Sequence, residues 1–401
     1  MDLVLVNAKF LNLATGLYEQ GKSILITGEY IRHIGQMSEC IALAKTTPEI
    51  LDLRGKIIVP AFVDTHTHFV EYAKRKIMVD LSACERVESV LAVLQSYRSN
   101  QISLPPWILG GGWDKNKLDQ PDALNKELVD KVFPDIPVAL WSKDYHGKLC
   151  NSMALKLAGI DSSTPDPAGG KIVRDGAGVP TGLLYEAAAE LLEHHIVQPD
   201  RDLIKQAVLA AVSDARRFGL VGVHTMEGAA SWSVLEELRH EGLNFRFTWH
   251  FQLDELNFML ENGIRSYSGD EWLKIGGLKI FADGALGSQT AAMFNPYTGT
   301  SNCGILRYTD DALWRIGEQA AARGIALTIH GIGDRAVNQI LRLFKDLQAY
   351  PGLLHRIEHA QCVRREDLTL LRDSGAACAL QPVHLANDVD MIENHWQGVR
   401  G

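Results

Sequence analysis

The sequence predicts an α/β fold: a TIM-like (β/α)8 barrel, preceded by a small β domain and interrupted by an inserted subdomain. Two observations support this prediction. Short β-like runs fill residues 1–56, and strand-like runs alternate with amphipathic helical stretches from residue 201 onward. Such alternation is typical of a parallel sheet with crossover helices.

Residues 1–56 are the predicted small β domain, a half-sandwich. Their three runs are rich in Val, Ile and Leu and are interrupted by Gly and Asn: MDLVLVNAKFLN, SILITGEYIRHIG and EILDLRGKIIVP. A single sheet of this size is only marginally stable and needs a second layer.

Residues 57–401 are the predicted barrel. Its candidate strands are IIVPAFVD (57–64), LVGVHTM (220–226), NFRFTWHFQL (244–253), LKIFADG (278–284), IALTIHG (325–331), LLHRIEHA (353–360) and ACALQP (377–382). These are seven strands, whereas a (β/α)8 barrel needs eight. Residues 70–200 do not follow the rhythm, and we interpret them as a subdomain inserted between the first two barrel strands.

Charge and hydropathy exclude several classes of protein. The formal net charge is −9, and no block of Lys and Arg is long enough to bind nucleic acid. No apolar run approaches the length of a membrane span, and the N-terminus lacks the basic region of a signal peptide. The six cysteines are scattered without a C-x-x-C pair. We therefore expect a cytoplasmic protein with reduced thiols and no nucleic-acid or membrane partner.

The segment VPAFVDTHTHF contains the sharpest local motif, His66 and His68 at the end of an apolar strand. Residues i and i+2 of a strand point to the same side, so the two imidazoles converge as a first-row metal requires. His330 and His359 also end strand-like runs. In a barrel these ends share the rim where active sites form.

Lys279 lies within the apolar run LKIFADG, although lysine is rarely buried without a partner. One interpretation is that it reaches the rim or pairs with Asp283. The other is that burial lowers its pKa and leaves a reactive amine. Carboxylation by CO2 would then give an anionic group able to bridge two metals.

Two other motifs suggest different functions. His355, Glu358 and His359 match the H-x-x-E-H pattern of a zinc-peptidase class, which requires a helix. The run GIGDRA (331–336) fits a dinucleotide-binding fingerprint, although no acidic residue closes a second strand about 20 residues later.

Several spaced motifs together resemble the amidohydrolase superfamily, in particular its family 3 branch, which includes N-substituted formamide deformylases. The motifs are VPAFVDTHTHF, LKIFADGALGSQTAAM, LTIHGIGDRAVNQ and HRIEHAQ, with SKDYHGKLCNSMAL, PTGLLYE and QPVHLANDVD in support. The resemblance covers essentially the whole chain. It implies a metal-dependent hydrolase barrel beside a small β-sandwich.

The resemblance also implies the chemistry, which is hydrolysis of a C–N bond in an amide or N-substituted formamide by attack of a metal-bound hydroxide. The cofactor would be one or two divalent ions, with Zn favoured over Fe, Mn or Co. The implied metal ligands are His66, His68, carboxylated Lys279, His330 and His359. We expect a small-molecule amide as substrate. An uncovered N-terminal sheet would favour association into a homo-oligomer through its exposed face, although the sequence does not fix the oligomeric state.

The sequence departs from the family pattern near its end. The family continues to an eighth strand whose Asp, in a G-S-D-x-P-type motif, binds metal and serves as general base. Here Asp388 and Asp390 fall in a helix-like segment after the seventh strand, and no catalytic base is identified. We therefore expect a fragment or truncated gene product that binds metal weakly and hydrolyses poorly. The alternative is a non-catalytic binding protein on the same fold.

Further residues are predicted to surround the metals. Candidates for substrate binding lie at family-like motifs in the inserted region: Trp113, Asp114, His146, Asn151 and Glu186. Asp283 and Asp334 follow Lys279 and His330 by four residues each. They would orient the ligands as hydrogen-bond acceptors or cap helices.

Overall fold

The chain forms two compact units, Met1–Phe62 and Val63–Gly401, in the computed structural model. The structure describes residues 1–101, 104–115, 117–143, 146–197, 199–384, 388–389, 392–393 and 396. The predicted fold class is confirmed, since the second unit holds a nearly closed seven-stranded barrel with an inserted subdomain. Within the described ranges, no helix has both the length and the hydrophobicity needed to cross a membrane.

The first unit consists of two small sheets and one short helix. Its elements are β1 (Asp2–Val6), β2 (Lys9–Asn12), β3 (Leu17–Glu19), β4 (Ser23–Thr27), β5 (Tyr30–Gly35), α1 (Met37–Leu43), β6 (Glu49–Asp52) and β7 (Ile57–Ile58). The sheets have the strand orders β5-β4-β1-β6 and β3-β2-β7. Helix α1 covers one face of the larger sheet, where Cys40 packs with Val4, Val6 and Leu25.

The first barrel strand begins later than the sequence predicts. The run over residues 57–64 divides into β7, which pairs with β2 of the first unit, and β8 (Phe62–Thr67). Pro60 lies between them and has no N–H to donate, so it interrupts the ladder. As a result, His66 lies within β8 rather than just after the strand.

A subdomain separates β8 from the next barrel strand. After α2 (Phe69–Lys76) its elements are β9 (Val79–Asp80), α3 (Val87–Asn100), β10 (Ile108–Trp113), α4 (Lys126–Asp130), β11 (Val138–Ser142), β12 (Gly147–Cys150), α5 (Ser152–Leu157), β13 (Gly170–Arg174), β14 (Pro180–Glu186) and α6 (Ala187–Glu190). They form a mixed six-stranded sheet of order β13-β14-β12-β11-β10-β9. Both faces are covered, since Ile108 and Leu109 enter different cores.

The rest of the barrel follows in strict β/α alternation. Its elements are α7 (Arg201–Arg217), β15 (Leu220–Met226), α8 (Ala229–His240), β16 (Arg246–Gln252), α9 (Leu256–Glu261), β17 (Leu273–Phe281), α10 (Asp310–Ala321), β18 (Leu327–Gly331), α11 (Asp334–Asp346), β19 (Arg356–His359), α12 (Leu368–Ser374) and β20 (Ala377–Ala379). The barrel order is β8-β15-β16-β17-β18-β19-β20, and the pairs from β15 to β20 are parallel.

Barrel strands place apolar side chains outward and polar side chains inward. On β16, Phe247, Trp249 and Phe251 join the core beneath the helices, whereas the buried His250 bonds Thr328 of β18. The alternation follows from the two-residue period of a strand. The barrel interior is therefore a polar layer whose groups must find partners there.

His355 connects β18 to the helix layer, and its burial should make the stability of the fold depend on pH. Its ring stacks on Phe344, and its Nδ1 accepts the N–H of Leu327 at 3.1 Å. Burial lowers the pKa of His355 to about 4. Because unfolding restores a pKa of about 6.5, the unfolded chain binds more protons between these values. Stability should therefore fall as the pH drops through that window, by up to about 1.4 kcal/mol per pH unit for this group.

Denaturant titrations across the same window test this prediction. His355→Gln retains an acceptor atom but does not titrate, so its stability should depend less steeply on pH than that of the wild type. His240→Gln, at an exposed position of α8, is the matched control and should leave the slope unchanged. Equal slopes for wild type and His355→Gln would contradict the assignment.

Candidate metal centre

The four histidines predicted as ligands form one cluster at the carboxyl ends of barrel strands. His66 is on β8, His68 follows it, His330 is on β18, and His359 ends β19. The ring centroids of His66 and His359 are 4.7 Å apart, and those of His330 and His359 are 4.6 Å apart. His68 is 6.0 Å from His66 by the same measure.

Three of these imidazoles have one ring nitrogen bound to a fixed acceptor. The bonds run from His66 Nδ1 to Glu358 Oε2 (2.5 Å), from His68 Nδ1 to Met226 O (2.9 Å) and from His330 Nε2 to Gly284 O (2.9 Å). A carbonyl or carboxylate oxygen only accepts, so this ring nitrogen donates, and in the neutral imidazole the opposite nitrogen keeps its lone pair. Metal-binding histidines have this arrangement.

His359 differs from the other three histidines. Its Nδ1 is buried without a hydrogen-bond partner, and its backbone has a φ of 71°, followed by 45° at Ala360. Left-handed backbone at non-glycine residues is strained and is concentrated at functional sites. Burial lowers the pKa of His359 to about 2 and that of His330 to about 4. Both rings are therefore neutral, which is the form that binds metals.

Lys279 is on β17, 1% exposed, and its Nζ has no hydrogen-bond partner. The nitrogen lies 4.7 Å from the ring centroid of Phe281. The pairing with Asp283 considered from the sequence does not form, because that carboxylate binds backbone amides instead. Burial lowers the pKa of Lys279 to about 8.

The donor set fits a divalent cation, although the side chains do not yet surround one. No three His, Cys, Asp or Glu side chains of the described ranges stand around a common metal-binding point. The rings pack against one another instead. However, buried nitrogens without partners cost free energy, and both Lys279 Nζ and His359 Nδ1 are of this kind. A cation and a carboxylated lysine would satisfy them.

Asp283 supports the cluster from the loops. It is 1% exposed and accepts the backbone N–H groups of Ala292, Ile332 and Gly333 at 2.8–3.1 Å. Burial raises its pKa to about 6 despite these bonds. Its Oδ1 lies 3.5 Å from His330 Nε2, whose closer partner is the carbonyl of Gly284. Asp283 thus acts on His330 through the loop backbone.

Asp334 has a related structural role. It is the first residue of α11, is 2% exposed, and accepts the N–H of Phe294 at 2.9 Å. The N-cap position itself belongs to Gly333. Asp334 therefore fixes the loop between β17 and α10 against α11.

Two of the predicted substrate-binding residues are used inside the subdomain. Trp113 is 1% exposed, and its indole N–H donates to Leu140 O. Asn151 is fully buried and caps α5, with its amide also donating to two backbone carbonyls. Neither offers side-chain surface to a ligand, because the core and the cap occupy it. We therefore exclude both from the proposed substrate site.

His146 and Glu186 are brought together. Their side chains are exposed and in contact, with His146 Nδ1 3.0 Å from a carboxylate oxygen of Glu186, where β12 begins and β14 ends. Glu186 has φ 52° and ψ −129°, which is a strained conformation for a residue with a side chain. Asp114 is half-buried just after β10. These three residues lie on the subdomain sheet rather than on barrel strands.

The structure adds polar residues that the sequence interpretation missed. Inside the barrel, Glu358 bonds His66, Arg356 bonds Glu358, and the rings of His224 and His250 stack at 5.7 Å. In NFRFTWHFQL every second residue is polar, and this pattern could have revealed His250. In HRIEH the polar Arg356 and Glu358 flank the apolar Ile357 in the same way.

His384, in the motif QPVHLANDVD, also lies beside the cluster, although the sequence interpretation gives it no role. Its ring lies 5.3 Å from that of His359, and its Nδ1 is 3.5 Å from Asp388. Asp388 is helical, as expected, and accepts from Gln361 at 2.7 Å. Asp390 lies outside the described residues.

The zinc-peptidase interpretation is wrong. Arg356–His359 is a strand, so Glu358 and His359 point to opposite sides rather than sharing a helix face with His355. His355 instead bonds β18 and packs on α11.

The dinucleotide-binding interpretation also fails, even though a strand and a helix flank the motif. The carbonyl of Ala292 accepts the N–H groups of Arg335 and Ala336 at the start of α11. A Cβ at Gly333 would lie 2.0 Å from that oxygen. The glycine accommodates the loop after β17, so no phosphate can reach the helix N-terminus.

Comparison with known proteins agrees with the barrel fold and the histidine cluster. The model of the amidohydrolase family matches residues 49–400, so the chain belongs to this family. It is 32% identical over 350 residues to the putative amidohydrolase YtcJ of Bacillus subtilis, covering 86% of this chain and 66% of that protein. The chain thus spans just under two thirds of that relative.

Two further similarities extend over nearly the whole chain. N-substituted formamide deformylase of Arthrobacter pascens is 28% identical over 419 residues, which cover 99% of this chain and 76% of that protein. The crystal structure of an uncharacterized metal-dependent hydrolase from Pyrococcus furiosus superposes with a TM-score of 0.80 at 25% identity, covering 98% and 80% of the two chains.

Proposed function

We propose that the chain hydrolyses a carbon–nitrogen bond of a small amide or N-substituted formamide, using one or two divalent cations. The observation that carries this proposal is a cluster of four imidazoles, three of them oriented by hydrogen bonds, together with a buried amine that has no hydrogen-bond partner. The ligands would be His66, His68, Lys279, His330 and His359. Zn²⁺ suits imidazole and carboxylate-type oxygens, with Fe, Mn or Co as the alternatives.

Lys279 would join the centre as a carbamate. Its nitrogen lone pair forms a bond to the carbon of CO2, and the nitrogen releases one proton, which leaves an anionic group with two oxygens. The lowered pKa, about 8, favours this reaction because more of the amine is neutral near pH 7 than for an ordinary lysine. Negative charge is then available where neutral histidines supply none.

A bound cation would lower the pKa of a water molecule and polarise the substrate carbonyl. The chain's own residues define the surroundings of that reaction. Phe281 contributes an apolar wall, since its ring lies 5.2 Å from that of His330. Apolar walls exclude bulk water and strengthen the electrostatic interactions inside a site. Asp114, His146 and Glu186 remain the proposed substrate contacts.

The relatives support the substrate class. The deformylase of Arthrobacter pascens is named for N-substituted formamides, and it aligns with 99% of this chain. A formamide is a small substrate, in keeping with an interior lined by histidine and phenylalanine side chains.

The experiment is hydrolysis of N-benzylformamide by the full chain, reconstituted with Zn²⁺ in bicarbonate buffer. Release of formate and amine in equal amounts is the expected result, with activity lost after chelation and restored by Zn²⁺. His330→Ala should abolish turnover, whereas the exposed His240→Ala should preserve it. A chain that binds Zn²⁺ but hydrolyses neither N-formyl nor N-acetyl amines would instead be a non-catalytic binding protein.

A further inference from the structure

We propose that Glu358 is a positioning residue that acts through His66 and, together with Arg356, sets the affinity of the metal centre. This inference rests on the proposed function, because His66 is one of the proposed ligands. The glutamate of the HRIEH motif is not one of the proposed metal ligands, and the zinc-peptidase interpretation of the motif is wrong. The positioning role accounts for this residue.

Glu358 has no exposed surface, and both of its oxygens are engaged. Oε2 accepts from His66 Nδ1 at 2.5 Å, and Oε1 accepts from Arg356 Nη2 at 2.8 Å and from Nε at 3.0 Å. The carboxylate is therefore closed to substrate and to a metal ion. Its influence on chemistry has to pass through the imidazole of His66.

Arg356 holds the backbone beside the same histidine. Its Nη2 donates to the carbonyl of Thr65 at 2.7 Å, and its Nη1 contacts His224 Nδ1 on β15. Thr65 directly precedes His66 on β8. One residue of the pair thus fixes the ring and the other fixes the chain that carries it.

These contacts cross the barrel interior. β8 and β19 are not neighbours in the barrel sheet, because four strands separate them along its order. β8 is also an edge strand of that sheet among the described residues. The Arg356–Glu358 pair therefore ties β8, a strand with one neighbour among the described residues, to a strand that is not its sheet neighbour, at the level of the histidines.

His66 has a stronger acceptor than the other histidines of the cluster. His68 and His330 donate to neutral backbone carbonyls, whereas His66 donates to a carboxylate. A charge-assisted hydrogen bond is roughly twice as strong as a neutral one, and it raises the basicity of the opposite ring nitrogen. Among His66, His68 and His330, we therefore expect His66 to have the most basic free ring nitrogen, Nε2, and to bind a cation most strongly.

The test measures Zn²⁺ affinity by competition with a chromophoric chelator. Glu358→Gln should weaken binding by about 10–100-fold, the usual effect of losing such a partner. In a His66→Ala background the same substitution should cause no further loss, because the path to the metal is already gone. A purely structural role would give the same loss in both backgrounds.

Glu358→Gln leaves the buried Arg356 without its carboxylate partner, and this could destabilise the fold. A second variant removes both charges and controls for that effect. Arg356→Met combined with Glu358→Gln removes both charges and should weaken Zn²⁺ binding at least as much as Glu358→Gln alone. Asp367→Asn is the matched control, since Asp367 is a buried carboxylate paired with Arg364 at 2.7 Å. It should lower the denaturation midpoint without changing Zn²⁺ affinity.

The outcomes separate this inference from the proposed function. Wild-type affinity in the Glu358 variants, or equal losses with and without His66, would overturn the positioning role while leaving a metal-binding hydrolase intact. A parent chain that binds no Zn²⁺ would overturn both.

Discussion

Lys279→Met is expected to lower kcat for formamide hydrolysis by about 10³-fold while leaving the fold at least as stable as the wild type. The proposed carbamate and the charge stabilisation that it would supply are removed, and several kcal/mol of transition-state stabilisation correspond to losses of this order. The folded chain loses only a buried amine that has no partner. Methionine fills a similar volume without that cost.

Lys148→Met is the matched control for this prediction. Lys148 is also buried, at 3% exposure, but its Nζ donates to Ala189 O at 2.9 Å and pairs with Glu193. Its replacement should destabilise the chain and leave the kcat of correctly folded protein unchanged. Kinetics and denaturation of both variants decide the matter. Wild-type turnover in Lys279→Met would show that this lysine does not serve the reaction.

Asp283→Ala is expected to cause a large loss of stability, about 3–9 kcal/mol. Three buried backbone N–H groups lose their acceptor together, and each such group costs about 1–3 kcal/mol. They belong to Ala292, Ile332 and Gly333, so two loops at the rim lose their shared anchor. His330 should lose its fixed orientation as well, because Gly284 follows Asp283 directly.

Chemical denaturation measures this loss of stability, and two further variants serve as comparisons. Asp283→Asn keeps one acceptor oxygen and should fall between wild type and alanine. Asp310→Ala removes an exposed carboxylate paired with Arg342, and it should cost less than about 1 kcal/mol. A similar small loss for Asp283→Ala would refute the anchoring role.

Most barrel strands could be predicted because each carries its own pattern. β15 was predicted with its exact bounds, and every strand predicted from residue 220 onward is present. The first strand was misplaced because IIVPAFVD looks continuous, whereas Pro60 divides it between two sheets. Which sheet a short apolar run joins depends on long-range pairing that the local sequence does not encode.

The inserted sheet was predicted as a subdomain but not as strands. Its β10 reads ILGGGW, which suggests a turn rather than a strand. The structure explains the glycines, since a Cβ at Gly110 would lie 2.2 Å from Val79 O and one at Gly111 would lie 2.4 Å from Trp141 O. Glycine is required because neighbouring strands pack closely at these positions, and this contact cannot be recognised from the local sequence.

The candidate metal centre likewise contains some residues that could be predicted from the sequence and others that could not. The clustering of the four histidines could be predicted because each lies at or near the carboxyl end of a strand, and strand ends meet at one rim. Arg356 and Glu358 could not, because their roles depend on β19 reaching β8 across the barrel. Trp113 and Asn151 were predicted from motif position, but burial assigns them to the core and to a helix cap.

Four histidines and Lys279 are proposed to form a metal centre. Elemental mass spectrometry on protein purified without chelator tests it most directly, with His240→Ala as the positive control and the double variant His66→Ala/His330→Ala as the negative control. We predict about one to two divalent ions per chain in the wild type and the positive control, and almost none in the double variant. Near-zero metal in the wild type, or equal metal in all three proteins, would contradict the account.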